Sequence, residues 1–107
     1  MKVGYVLKLT DPEYSTYNFG YVTKGSVTCG GCRGYFLKEY VFETVDEAKQ
    51  HIVTCLTSSQ YRPDISEDNF EIVEVKEHLD IDPYFLYTDQ EYERYSEYLI
   101  KDSSQPR

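Results

Sequence analysis

Three cysteines and a histidine occur at a spacing that is typical of metal ligands. Residues 29–32 form a C-x-x-C pair, and a histidine and a third cysteine follow four residues apart. Thiolate and imidazole groups in such an order hold Zn²⁺ in small structural sites. One hypothesis is therefore a small zinc-stabilised module with a Cys-Cys-His-Cys site made of Cys29, Cys32, His51 and Cys55.

The strand predicted between the C-x-x-C pair and the histidine argues against that zinc site. Residues 34–42 would carry the chain roughly 25 to 30 Å from the turn, at about 3.3 Å per residue. The helix that follows returns only about 9 Å at His51 and about 15 Å at Cys55. Zinc needs every ligand atom about 2.3 Å from one point. We therefore expect no metal and no other cofactor, and we interpret residues 29–32 as a glycine turn joining two strands.

Catalytic chemistry has little support in the sequence. Cys55 and His51 share a helix face, as a nucleophilic thiol and its imidazole base would. No residue at a recognisable spacing orients the imidazole, however. The glycine-containing segment 30–34 lacks the lysine and the hydroxyl of a phosphate-binding loop. We therefore predict that the protein is not an enzyme.

The elements that position these residues follow from the hydrophobic pattern. Apolar and polar residues alternate at 3–9, which predicts a first strand. A second strand is predicted at 19–28, a third at the aromatic and β-branched residues 35–42, and a fourth at 70–75. The residues 11–17 are predicted to form a polar loop.

Two capping boxes predict helices. The hydroxyl of Thr44 is expected to accept a hydrogen bond from the amide three residues on, while the carboxylate of Glu47 reaches back to the helix start. Apolar residues then follow at spacings of three and four. Residues 88–91 open a second helix in the same way, and this helix is predicted to end near residue 101.

The order of the predicted elements is β-β-β-α-β-α. Strands that precede a helix in this way are typical of an α+β protein, with an antiparallel sheet of about four strands packed against two helices. We predict a single domain of this kind over residues 1–101. The remaining residues 102–107 are predicted to be a disordered tail, since they offer no large apolar side chain to bury.

The net charge of −8 is concentrated in the second part of the chain. Residues 1–63 carry six acidic and seven basic side chains, whereas residues 64–107 carry thirteen acidic and four basic ones. Such an excess of acid repels phosphates, so we expect no direct binding to nucleic acid. It favours a basic protein surface as the partner.

Three features of the sequence favour a cytoplasmic protein. No apolar run approaches the roughly 18 residues of a membrane span, so we expect no membrane association. The first residues lack the apolar centre of a secretory signal. The number of cysteines is three, which is odd and argues against a disulfide framework.

The last predicted helix separates its tyrosines from its acids. At about 100° per residue, four side chains fall within an arc of about 120° and predict a core-facing stripe: Tyr92, Tyr95, Tyr98 and Leu99. Asp89, Glu93 and Glu97 follow each other at intervals of four residues on the other side. Like charges at this spacing cost a few tenths of a kcal/mol per pair, which makes this row of acids unusual.

The row of acids is similar in kind to the charge of a nucleic-acid strand. Its charges recur every 6 Å or so, against about 3.4 Å along one DNA strand. Further acids must therefore contribute if the fold gathers them on one side, and the candidates are Glu74, Glu77, Asp80 and Asp82, together with Asp64, Glu67 and Asp68. Tyr84 and Tyr87 are predicted as aromatic anchors, since tyrosines concentrate binding energy at protein interfaces.

In size, charge and tyrosine content the chain is similar to the small acidic proteins of phages and mobile elements. Those proteins occupy the nucleic-acid site of a host defence or transcription protein. The resemblance implies a non-enzymatic inhibitor that mimics nucleic acid. We predict a partner that is a basic, nucleic-acid-binding protein, bound through the C-terminal acidic half of the chain.

Overall fold

The part of the chain that the structure describes forms one α+β domain around a curled antiparallel sheet. The computed structural model describes residues 2–30 and 33–103, with the backbone alone for residues 16–18 and 98–103. The described elements are β1 (Val3–Leu9), α1 (Pro12–Asn18), β2 (Tyr21–Val22), β3 (Tyr35–Leu37), α2 (Val45–Thr57), β4 (Phe70–His78), β5 (Asp82–Tyr87) and α3 (Asp89–Ser103). The strand order across the sheet is β2-β1-β4-β5-β3.

Alternate residues of β1 enter two separate hydrophobic clusters, because successive side chains of a strand point to opposite faces. Leu7 and Leu9 pack with three residues of α2: Ala48, Ile52 and Cys55. Val6 points the other way into a second cluster, which contains Tyr21, Phe36, Val41, Val75 and Leu86. The strand therefore lies at the centre of both cores.

The sheet curls around the second cluster. The rings of Tyr21 in β2 and Phe36 in β3 lie 5.2 Å apart, although these strands are at opposite edges of the sheet. Val41 crosses directly over Gly4, where an added Cβ would lie 2.6 Å from a methyl carbon of Val41. Only glycine allows this close approach. The segment that contains Val41 can therefore cross from one edge of the sheet back towards the other.

The predicted α+β class, the first strand and the starts of both predicted helices are confirmed. At α2 the hydroxyl of Thr44 accepts a hydrogen bond from the amide of Glu47 at 3.1 Å. The carboxylate of Glu47 accepts one from the amide of Glu43, also at 3.1 Å. At α3 the hydroxyl of Thr88 accepts from the amide of Glu91 at 3.2 Å.

The segment predicted as a polar loop at 11–17 instead contains α1. A carboxylate oxygen of Asp11 accepts from the amide of Glu13 at 3.0 Å and caps the helix. The other oxygen of Asp11 pairs with the guanidinium of Arg62 at 2.6 Å. The backbone amide of Arg62 also donates to the hydroxyl of Tyr14 at 3.0 Å. Contacts with a residue distant in sequence thus stabilise a helix too short to stand alone.

Two of the predicted strands are shorter in the structure. The second is limited to Tyr21–Val22, and the third ends at Leu37. A 3₁₀ turn, Lys38–Tyr40, then redirects the chain, and the amide and carbonyl of Phe42 pair with those of Tyr5 at 2.8 Å each. The aromatic run 35–42 therefore divides between two distant parts of the sheet.

The prediction missed β5 and placed the end of β4 too early. A proline disfavours helical geometry in the residue before it and is a local signal for a break, but Asp82 and Pro83 begin a strand, which is where a proline is tolerated in a sheet. The fourth strand continues to His78, and α3 continues to Ser103. Of the predicted tail, residues 104–107 lie outside the described residues.

Candidate functional site

The outer face of α3 presents a row of exposed acidic side chains. We call Asp89, Glu93 and Glu97 the acidic ridge, and all three are exposed. Asp89 lies 3.4 Å from the Nζ atom of Lys76, and its negative charge raises the pKa of Lys76. Glu93 and Glu97 form no ion pair with the described side chains. Those side chains therefore leave the charge of these two acids uncompensated.

Three further acids predicted for this surface make contacts within the domain. The carboxylate of Glu77 accepts from the amide of Lys2 at 2.9 Å and pairs with Lys38 at 3.1 Å, and these contacts lower the pKa of Glu77. Asp80 accepts from the hydroxyl of Tyr92 at 2.9 Å. Asp82 accepts from the amides of Tyr84 and Phe85, at 2.6 and 3.3 Å. The contacts of Asp80 and Asp82 fix the β4–β5 turn and connect it to α3.

The two tyrosines predicted as anchors have opposite environments. Tyr84 is 68% exposed, whereas Tyr87 is only 6% exposed. Burial raises the pKa of Tyr87 to about 12, and the nearby carboxylate of Asp82 adds to the effect. The hydroxyl of Tyr84 and its ring are thus accessible to a partner, while little of the Tyr87 side chain is.

The inner side of α3 packs through its tyrosines. The ring of Tyr92 stacks on His78 with the centroids 3.6 Å apart, and Tyr95 lies 6.2 Å from Tyr87. Tyr95 nevertheless remains 40% exposed. The predicted stripe is therefore correct for Tyr92, and the side chains of Tyr98 and Leu99 lie outside the described residues.

A cleft of about 520 Å³ lies between α3 and the outer face of β3 and β5. Tyr35 is in register with Tyr87, and Leu37 with Phe85, so alternate aromatic residues of the two strands share this face. We call it the aromatic cleft, after the four rings that line it: Tyr35, Phe85, Tyr87 and Tyr95. Sequence reasoning missed it because the pattern emerges only when β5 is paired with β3.

Two arginines and two acids complete the lining of the aromatic cleft: Arg33, Arg94, Asp82 and Glu91. Arg94 pairs with Glu91 at 3.4 Å, and Glu91 is only 14% exposed. The guanidinium of Arg33 lies over the ring of Phe19 at 6.0 Å and forms no ion pair with the described side chains. Arg33 is therefore a cation available to a ligand.

A second, smaller recess adjoins the aromatic cleft. It has a volume of about 250 Å³, and Arg33, Glu91 and Arg94 line both spaces. The residues that line only the recess are Lys8, Phe19, Tyr21 and Gln90. The amine of Lys8 lies 5.7 Å from the centre of the Tyr21 ring. The arginines thus form the border between an aromatic space and a basic one.

Two of the predicted metal ligands meet in the first hydrophobic cluster. Cys29 and Cys55 both lie against the hydroxyl of Tyr61. That hydroxyl is buried and has no hydrogen bond of normal geometry with the described residues. Burial raises the pKa of Cys29, and it raises the pKa of Cys55 to about 11. Both thiols are therefore protonated at neutral pH.

The length argument against zinc is wrong, because the strand on which it depends is broken at Leu37. The residues before the turn pack directly on α2, and a ring nitrogen of His51 contacts the carbonyl oxygen of Ser26. Cys32 lies outside the described residues. Within residues 2–30 and 33–103, no group of three His, Cys, Asp or Glu side chains is placed to hold a metal ion.

None of the helices in the described part of the chain combines the length and the apolar character that crossing a membrane requires. Scans against protein-family models and searches of curated proteins and of solved structures gave no match to this chain. Its candidate sites are therefore defined by the geometry of its own residues.

Proposed function

We propose that the protein is a small non-enzymatic binding protein whose acidic ridge docks on a basic, nucleic-acid-binding surface of a partner protein. The observation that supports this proposal is the exposure of Asp89, Glu93 and Glu97 along one helix face. Four residues of helix advance about 6 Å, so the ridge presents charges at regular intervals on a rigid element. A rigid row of this kind loses little entropy when a partner binds.

The internal contacts of the other acids restrict the proposed binding surface. The carboxylates of Glu77, Asp80 and Asp82 are held by hydrogen bonds within the domain, whereas those of Glu93 and Glu97 form no ion pair with the described side chains. The acids that are freest to pair with a partner therefore lie on α3. Tyr84 is exposed beside the β4–β5 turn and offers an aromatic anchor near the acids. The proposed inhibitory surface is therefore smaller than the whole C-terminal half.

The test is a pull-down from nuclease-treated bacterial lysate with the tagged protein, followed by elution with increasing salt. We expect a basic, nucleic-acid-binding protein to be retained at low salt and released at high salt, since exposed charges are screened within about 8 to 10 Å at physiological ionic strength. Replacing Asp89, Glu93 and Glu97 by lysine is expected to weaken binding of that partner at least about tenfold.

A matched control separates the ridge from net charge. Each replacement by lysine adds two positive charges, so the ridge variant changes the net charge from −8 to −2. A variant with lysine at three exposed acids outside α3, Glu39, Glu43 and Glu67, has the same net charge and should retain the partner. Equal loss in both triple variants, or none in the ridge variant, would contradict the proposal.

A second candidate, the zinc-stabilised module, is favoured by the approach of Cys29 and Cys55 to one hydroxyl. It requires both thiols to lose their protons to the metal and His51 to exchange its contact with Ser26 for a metal bond. Metal analysis of the purified protein tests it. One zinc per chain that is lost in the Cys29→Ser variant would establish this candidate, and a metal-free protein would eliminate it.

A further inference from the structure

We propose that the aromatic cleft binds a mononucleotide, with the base between the tyrosines and the phosphate at the border formed by Arg33 and Arg94. This site lies on a different side of α3 from the acidic ridge and does not depend on the function proposed for the ridge. Arg33, Glu91, Arg94 and Tyr95 line it, and none of them belongs to the ridge.

The size and the walls of the cleft fit a planar ring. A volume of about 520 Å³ lies within the range of about 300 to 1,000 Å³ typical of small-molecule sites. Tyr35 and Tyr95 are 41% and 40% exposed, so each presents ring surface that none of the described side chains covers. Nucleobases stack on aromatic side chains of this kind independently of base identity.

The position of the arginines fits an anionic group attached to that ring. Arg33 and Arg94 line both the aromatic cleft and the basic recess beyond it. An anion at this border meets the guanidinium of Arg33, which forms no ion pair with the described side chains, and that of Arg94, which also pairs with Glu91. Guanidiniums bind phosphate with paired hydrogen bonds. Lys8 also lines the recess and adds a further positive charge. Such a concentration of cations is unexpected on a protein with a net charge of −8.

The acids of the cleft constrain how the ligand lies. Glu91 is paired with Arg94, so it does not present a free charge to the phosphate. Asp82 lines the aromatic cleft but not the adjoining recess. A carboxylate at that position repels a phosphate and accepts hydrogen bonds from the amino group of a base. The ring of the ligand therefore lies towards Asp82 and its phosphate towards Arg33.

The overall charge of the protein distinguishes a mononucleotide from a nucleic-acid strand. A strand would extend its phosphates over the acidic surface of the C-terminal half and be repelled. A mononucleotide places its only phosphate at the arginines. The occupant that fits both the cleft and its surroundings is therefore the single nucleotide.

The experiment is a titration of the isotope-labelled full chain with AMP, adenosine and inorganic phosphate, followed by two-dimensional NMR and calorimetry. We expect AMP to bind with a Kd on the order of 10 to 100 µM. Adenosine lacks the anion and phosphate lacks the ring, so each should bind at least about tenfold more weakly. The shifted amides should cluster at residues 33–35, 85–87 and 91–95.

Two variants with matched controls test the assigned contacts. Arg33→Ala should weaken AMP binding about tenfold or more, because it removes a charge-assisted hydrogen bond. Tyr35→Leu should weaken it by about fivefold or more through lost stacking. Lys49→Ala and Tyr40→Leu remove an exposed cation and an exposed ring outside the cleft, and both should bind as the wild type does.

Three results would overturn the nucleotide site. The first is the absence of saturable AMP binding up to about 10 mM. The second is equal affinity for AMP and for either of its two parts. The third is unchanged AMP affinity in both Arg33→Ala and Tyr35→Leu, with spectra that show the wild-type fold.

Discussion

Replacing Leu86 by alanine is expected to lower the free energy of unfolding by about 2 to 5 kcal/mol, the usual cost of truncating a buried leucine. The side chain of Leu86 is fully buried at 0% exposure. Its backbone lies between Glu77 of β4 and Phe36 of β3. Truncating Leu86 would leave a cavity in the second cluster, where β3, β4 and β5 meet. Chemical denaturation at neutral pH measures the loss.

The same strand provides the control. Tyr84 is two residues earlier in β5 and is 68% exposed, so Tyr84→Ala should change the free energy of unfolding by no more than about 0.5 kcal/mol. A loss below about 1 kcal/mol for Leu86→Ala would mean that the residue is not enclosed by neighbouring strands. The comparison therefore tests the presence of β5, which the sequence pattern did not predict.

The elements that were predicted correctly are those with local causes. Residues 3–9 alternate in hydrophobicity because the two faces of β1 have different neighbours. The helices α2 and α3 each begin where a threonine hydroxyl accepts a hydrogen bond from an amide three residues later. Such signals lie within one short segment. They can be identified without knowledge of the rest of the chain.

The elements that were predicted wrongly depend on distant contacts. Helix α1 is stabilised by Arg62, which follows its cap Asp11 by 51 residues. The run 35–42 has the composition of one strand, but Phe42 pairs with Tyr5 and not with β5. Strand β5 has a proline as its second residue, a local signal for a break that its pairing partners override.

The candidate sites also divide into one with a local sequence signal and one that depends on distant contacts. The spacing of Asp89, Glu93 and Glu97 predicts one exposed helix face, and the structure has it. The aromatic cleft combines Tyr35 and Phe85, fifty residues apart in sequence, through the pairing of β3 with β5. Nothing in either segment alone signals a cleft. A site formed between strands is accessible to sequence reasoning only when the strand pairing is known.

Raising the pH from 9 to 11 is expected to lower the stability of the wild-type protein, and the Cys55→Ala variant should lose less. Cys55 is fully buried, and burial raises its pKa from 9.0 to about 11. As the pH rises above 9, the unfolded chain releases this proton while the folded chain retains it, so the free energy of unfolding falls. The contribution is present in full below pH 9 and is lost by pH 11. At about 1.4 kcal/mol per pH unit, the loss due to Cys55 is roughly 2 to 3 kcal/mol.

The measurement is a set of denaturation curves at several pH values, with each protein compared with its own stability at pH 7. This comparison cancels the small cavity that Cys55→Ala creates. Tyr87, whose pKa is raised to about 12, adds a loss common to both proteins above pH 10. Parallel profiles for wild type and variant would show that Cys55 does not titrate as a buried, protonated thiol. A zinc-bound thiolate has already lost its proton in the folded chain, so the stability of the wild type would instead rise between pH 7 and 9, where the unfolded chain loses that proton. The direction of the difference therefore also decides between the buried thiol and the metal site.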